Sequence, residues 1–117
     1  MTAKLVMFAT AATGAEEGAP DPGRIVEGSP ANRTWNHFES PDSKLHSGVW
    51  ESGPGKWRID YDETEFCHII EGVSVLADDD GVETVVRAGD AFVIPSGFRG
   101  TWEVRQTTRK HYVIYLL

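Results

Sequence analysis

Residues Gly53 to Gly72 read GPGKWRIDYDETEFCHIIEG, and one hairpin later residues Gly89 to Gly97 read GDAFVIPSG. The first stretch holds two strand signals, Lys56 to Tyr61 and Glu65 to Glu71, joined by a polar connection and ended by a glycine. The second is a short strand, Ala91 to Ile94, fenced by Gly89-Asp90 on one side and Pro95-Ser96-Gly97 on the other. Between them, Val73 to Ala77 and Glu83 to Arg87 flank Asp78-Asp79-Asp80-Gly81, where Asp-Gly supplies the positive φ of a tight hairpin. The acidic triplet lacks the ligand spacing of an EF-hand and reads as a solvated hairpin tip.

Outward from this centre the pattern repeats. Leu45 to Glu51 precedes it, Thr34 to Phe38 lies between breakers at Pro30 and Pro41, and Gly100 to Arg105 and Arg109 to Leu116 follow. About nine or ten short strands with frequent turn signals, and no helix demanded anywhere, describe an all-β sandwich or barrel, in which closure protects the strand edges. Near the N-terminus, Lys4 and the apolar run Leu5 to Ala9 read as a short strand, because five apolar residues after one cation make a poor signal peptide. Thr10 to Pro22 has no periodicity. The chain is therefore expected to form one domain over residues 1–117, with 10–23 as a loop or N-terminal arm.

Composition agrees. A chain of 117 residues with 40% hydrophobic content fills one barrel core, and four Trp, three Tyr and five Phe beside 12 Gly and six Pro favour pleated surfaces and turns. A formal charge of −7 with no Lys/Arg cluster argues against nucleic acid as a partner. No apolar run approaches the roughly 18 residues of a membrane helix. The single cysteine, Cys67, allows no internal disulfide, so a cytoplasmic location is the expectation.

Gly53, Ile59, Tyr61, Glu65 and Gly72 fall at the spacing of the first cupin motif, and Gly89 to Gly97 with Gly100 at that of the second. Together these stretches cover about half the chain, which resembles the cupin superfamily of RmlC-like jelly rolls. SGVWE at 47–51, EFCHIIEG at 65–72, GFRGTWE at 97–103 and RKHY at 109–112 look like the small cupins of the DUF861 family, relatives of the larger ureidoglycine aminohydrolases. The resemblance implies a double-stranded β-helix, a cupin jelly-roll barrel.

It also implies a metal site of three histidines and one glutamate, an inventory suited to divalent transition ions. The matching positions hold Ile59, Tyr61, Glu65 and Gly100, so only the glutamate survives. Sliding the window onto Tyr61 and Glu63 supplies no histidine. No cofactor is expected at the standard site; a rearranged metal site drawn from His37, His46, His68 and His111 is an alternative, although Cys67 and His68, as strand neighbours, face opposite ways.

Strand alternation from the motif positions turns Trp57, Ile59, Tyr61, Glu65 and Cys67 inward, together with Gly100 and Trp102. Gly100 should vacate volume, giving an aromatic-walled pocket for a small molecule. Glu65 is the candidate catalytic acid or base, its pKa raised by burial, with Tyr61 as its hydrogen-bond partner; the bland alternative is a satisfied polar pair. Lys110 and Arg58 are candidate anchors for an anionic ligand, but residues 109–117 are apolar on both parities and leave the face of Lys110 open. Trp35 and Trp50 read as core or interface aromatics, and Cys67 as a small buried hydrophobe. The leading expectation is a small-molecule-binding cupin, an enzyme on a nitrogen-containing or carboxylated metabolite by resemblance. The alternatives are a non-catalytic structural or regulatory cupin and a metal-dependent one. A homodimer through outer strands is expected as well.

Overall fold

The structure, a computed structural model, describes residues 2–117. Nine strands follow in order: β1 Glu16–Gly18, β2 Ile25–Glu27, β3 Asn32–Glu39, β4 Leu45–Ser52, β5 Gly55–Asp60, β6 Thr64–Asp78, β7 Glu83–Arg87, β8 Ala91–Ile94 and β9 Arg99–Tyr115. Every strand pairing is antiparallel. The sheet runs β1-β3-β4-β9-β5-β2, while β6 pairs with β7, β8 and β9. This is a curled all-β sheet, as the jelly roll expected from the sequence requires.

Two long strands hold the sheet together. β6 and β9 pair along nearly their whole length, from Thr64↔Tyr115 to Asp78↔Gly100. The breaks expected at Gly72 and between Arg105 and Arg109 are bends within continuous strands. The register of β6 against β9 shifts three times between Ile69 and Ser74, and the inward parity of β6 switches from Glu65, Cys67 and Ile69 to Ser74 and Leu76. Gly72 makes the bend possible, since its φ is +92° and a Cβ there would collide with the carbonyl of Thr107. β9 keeps even parity throughout, burying Gly100, Trp102 and Val104 and then Thr108, Lys110 and Tyr112.

The two motif loops lock the barrel mouth. Gly97 N–H donates to the Tyr61 carbonyl at 2.6 Å and Tyr61 N–H to the Phe98 carbonyl at 2.9 Å, while the Ser96 hydroxyl donates to the Asp62 carbonyl. The β5–β6 turn, which carries Tyr61 and Glu63, is thus fixed from outside. The core is Trp57, Ile59, Cys67, Ile69, Leu76, Val86, Ile94, Trp102 and Val104.

The N-terminal segment departs from expectation. The apolar run near residue 5 forms no strand; Phe8–Thr10 is a 3-10 turn, its Phe8 ring 4.9 Å from that of His37. Residues 10–23 are more than a loop, because Glu16–Gly18 pairs with β3 and Pro22–Arg24 forms a second 3-10 turn capped by Asp21. Main-chain pairing to an exposed sheet edge gives this segment order that no hydrophobic period announces.

Gly72→Ala should destabilise the fold by about 3 kcal/mol or more, strain and collision adding together. Gly81→Ala, with a similar φ of +82° but open space around its Cβ, should cost only about 1 kcal/mol. Denaturant unfolding of the two variants checks the contrast.

Candidate functional site

A cavity of about 610 Å³ opens at the barrel mouth, lined on its inner walls by Trp50, Trp57, Ile59, Tyr61, Glu65, Trp102, Lys110 and Tyr112. Its floor is an ion pair. Lys110 Nζ lies 2.7 Å from Glu65 Oε2, and the two residues are 4% and 3% exposed. The same ammonium donates to Cys67 Sγ at 3.6 Å and sits 4.7 Å and 4.4 Å from the rings of Trp50 and Trp102. One charge is thus held by a carboxylate, a thiol and two aromatic faces.

Alternation explains the convergence. Glu65 and Cys67 are successive inward residues of β6, and Lys110 and Tyr112 of β9. In the ladder Cys67 pairs with Tyr112 and Ile69 with Lys110, so the lysine reaches along the strand to the carboxylate. Trp102 is pinned by a buried chain: its indole N–H donates to Ser74 Oγ at 3.1 Å, Ser74 and Thr108 share a hydroxyl bond at 2.7 Å, and Thr108 Oγ1 donates to the Gln106 carbonyl.

Proton affinities follow from this crowding. Burial pulls the Lys110 ammonium toward deprotonation, but the Glu65 carboxylate and Cys67 outweigh it and its pKa is raised. Burial pushes the Cys67 thiol up to about 12, even though the neighbouring ammonium opposes the rise. Burial first, then the charge of Glu65, hold the Tyr61 phenol well above its usual range. Burial and Glu65 raise Tyr112 to about 12. Tyr112 donates to Asn36 Oδ1 at 2.7 Å, and Asn36 Nδ2 reaches His46 Nδ1 at 3.4 Å. The carbonyl of Ser43 accepts from His46 Nε2 at 2.9 Å, and the Glu39 carboxylate lies 3.4 Å from Nδ1. At the rim, burial raises Glu63, with Glu65 and Asp62 adding to the rise.

Of the residues marked in the sequence, Glu65, Tyr61, Trp57, Ile59, Trp102 and Lys110 line this cavity, with Arg58 at its edge. Cys67 lies beneath Lys110, fully buried. Gly100 does not line the cavity and vacates nothing, because a Cβ there would overlap the carbonyl oxygen of Ala77; close approach of two backbones, not an emptied ligand position, requires this glycine. Glu65 does not stand without a partner, as burial beside aromatics alone would leave it, but faces a full ammonium. Trp50 proves to be a wall of the cavity, and Asn36 and Tyr112, unmarked in the sequence, form a polar side together with His46. Tyr112 shares the parity of Lys110 and would have followed from it.

The metal donor set of the cupin motifs does not fit. Ile59 and Gly100 offer no donor, and Lys110 stands 2.7 Å from the one carboxylate. His37, His68 and His111 lie on the outer face, where His68 and His111 are cross-strand partners, and His46 alone borders the cavity. Among the described residues no group of three or more His, Cys, Asp or Glu is placed to hold a metal ion.

Comparison with known proteins gives a consistent picture. The EutQ-like cupin domain matches residues 39–112. A protein of unknown function of the DUF861 family from Pseudomonas syringae superposes with a TM-score of 0.80 at 29% identity, over 90% of this chain but 45% of its own. The EutQ protein of Clostridium difficile gives 0.67 at 24% identity, over 74% of this chain and 64% of its own. A DUF861 protein of Thermotoga maritima gives 0.53 at 36% identity, over 55% of this chain and 73% of its own. The chain thus spans less than two thirds of the first two proteins. No curated protein matches.

Glu65→Gln and Lys110→Met should each destabilise by about 3–5 kcal/mol, since each strands one buried partner, whereas the double variant should lose clearly less than the sum. Chemical denaturation of the four proteins measures the coupling.

Proposed function

This chain belongs to the family of EutQ-like cupin domains, and we propose that it binds a small polar molecule in the mouth of its barrel, against Glu65. The observation that supports the reading is the cavity of about 610 Å³ whose lining joins charged rim residues to one buried ion pair between aromatic side chains. Pockets of that size, with few and convergent polar groups, are the usual form of small-molecule sites.

The chemistry of the floor limits the ligand. A carboxylate paired with lysine accepts hydrogen bonds and cannot donate them, so the ligand group that meets Glu65 carries N–H or O–H. Arg24 and Arg58 share the rim with the carboxylates of Glu16, Asp21, Glu39, Asp60 and Glu63, and these two guanidinium groups are where a carboxylate at the ligand's other end would be held. A nitrogen-containing or carboxylated metabolite satisfies both ends. In a catalytic version, Glu65 serves as general base toward the bound donor and Tyr61 orients it.

A second reading, assembly as a homodimer, is supported by the outer face of the sheet. Val93, Phe66, Val113, Ser47 and Phe38 are successive register partners across β8, β6, β9, β4 and β3, and all but Ser47 are exposed large hydrophobics. Such a row is the kind of surface a second copy covers. Sedimentation should give a dimer mass at micromolar concentration, and Phe66→Asp should shift it to monomer; a monomeric native protein contradicts this reading.

A thermal-shift screen of ureides, amino acids, sugars and carboxylates tests the first reading. A ligand at a hundred times its Kd should add about 2.7 kcal/mol of apparent stability, and Glu65→Gln, referred to its own ligand-free baseline, should lose that gain. Equal stabilisation of both proteins contradicts the role given to Glu65.

A further inference from the structure

Around Lys110 Nζ the barrel has built a cation cradle: Glu65 Oε2 at 2.7 Å, Cys67 Sγ at 3.6 Å, and the faces of Trp50 and Trp102 within 5 Å. Three features suit it to a monovalent organic cation and not to a metal ion. One carboxylate balances one positive charge, and a divalent ion would leave a surplus charge buried at high cost. Cys67 keeps its proton, its pKa pushed to about 12 by burial, and only a thiolate ligates metals well. Aromatic faces attract ammonium groups, especially where water is excluded.

We infer that the Lys110 ammonium is a tethered replacement for the metal ion of a metal-binding cupin, and that Glu65, Cys67, Trp50 and Trp102 form a site for one alkylammonium group that the chain fills from its own strand. The positive charge beside Glu65 is then independent of metal supply, chelators and metal redox state. Nothing about the pocket's own ligand enters this inference. The cradle is held in place by the bond from Trp102 to Ser74 and by the unbroken parity of β9.

Lys110→Ala removes the side chain beyond Cβ, and the missing piece is n-propylammonium. Its addition should restore the variant's lost melting temperature, or its refolding yield if it is too unstable to purify folded, whereas n-propanol or sodium chloride at matched ionic strength should not. The half-restoring concentration should favour the amine over the alcohol roughly tenfold or more. Lys110→Met, which fills the stem volume, should not respond. Wild-type protein offered manganese, iron(II), nickel or zinc should retain far less than one equivalent on elemental analysis and show no rise in melting temperature. Equal effects of amine and alcohol, or near-stoichiometric metal in the wild type, would overturn the inference. Since no pocket ligand is used, a failed ligand screen leaves these results readable, and a failure here leaves the screen standing.

Discussion

The contact between Lys110 and Glu65 governs the interior of this barrel. Two opposite charges lie 2.7 Å apart and almost wholly out of water. Such a pair gives modest net stability, because desolvation of both ions cancels most of their attraction, but either member alone would be strongly unfavourable. The surroundings reduce that imbalance: the thiol of Cys67 and two indole faces supply the ammonium with partners that water would otherwise provide. Specificity follows, since a slip of β9 by one residue would turn Lys110 outward and leave Glu65 buried without a counter-charge.

That constraint falls on the strands with the most pairings. β6 carries Glu65 and Cys67, β9 carries Lys110 and Tyr112, and their shared ladder runs the length of the barrel. The bend at Gly72 lets one continuous β6 supply inward residues to both halves of the core. The mouth is then shaped by the Pro95–Gly97 turn clamping Tyr61, and by β1 and the Asp21-capped turn extending one wall. Fold and cavity depend on the same elements, so damage to the bend should be felt at the site.

Much of this was legible in the residues. The order of strands β3 to β9, the inward set Trp57, Ile59, Tyr61, Glu65 and Cys67, and the family all follow from two-residue alternation and motif spacing. Lys110 was not placed, because the residues after it are apolar on both parities and alternation carries no signal there. Its facing is decided by pairing with β6, a non-local event that pattern alone does not encode. Gly100 misled for a related reason: a glycine at a ligand position resembles an emptied site, yet here it admits the backbone of β6. Without Lys110, Glu65 looked like an isolated carboxyl and Trp50 like ordinary core packing. The N-terminal segment was read as an arm because its order comes from edge pairing and one Asp cap, neither of which has a hydrophobic period.

The most direct measurement is nitrogen-detected NMR of the lysine side chains across a pH titration. An ammonium locked on Glu65 gives one slowly exchanging NH3⁺ signal, lost in Lys110→Met, that stays charged as the pH passes the ordinary lysine value of about 10.4. A Lys110 signal with the shift of a neutral amine at neutral pH, or one that exchanges as fast as the surface lysines, would contradict the ion pair on which the site depends.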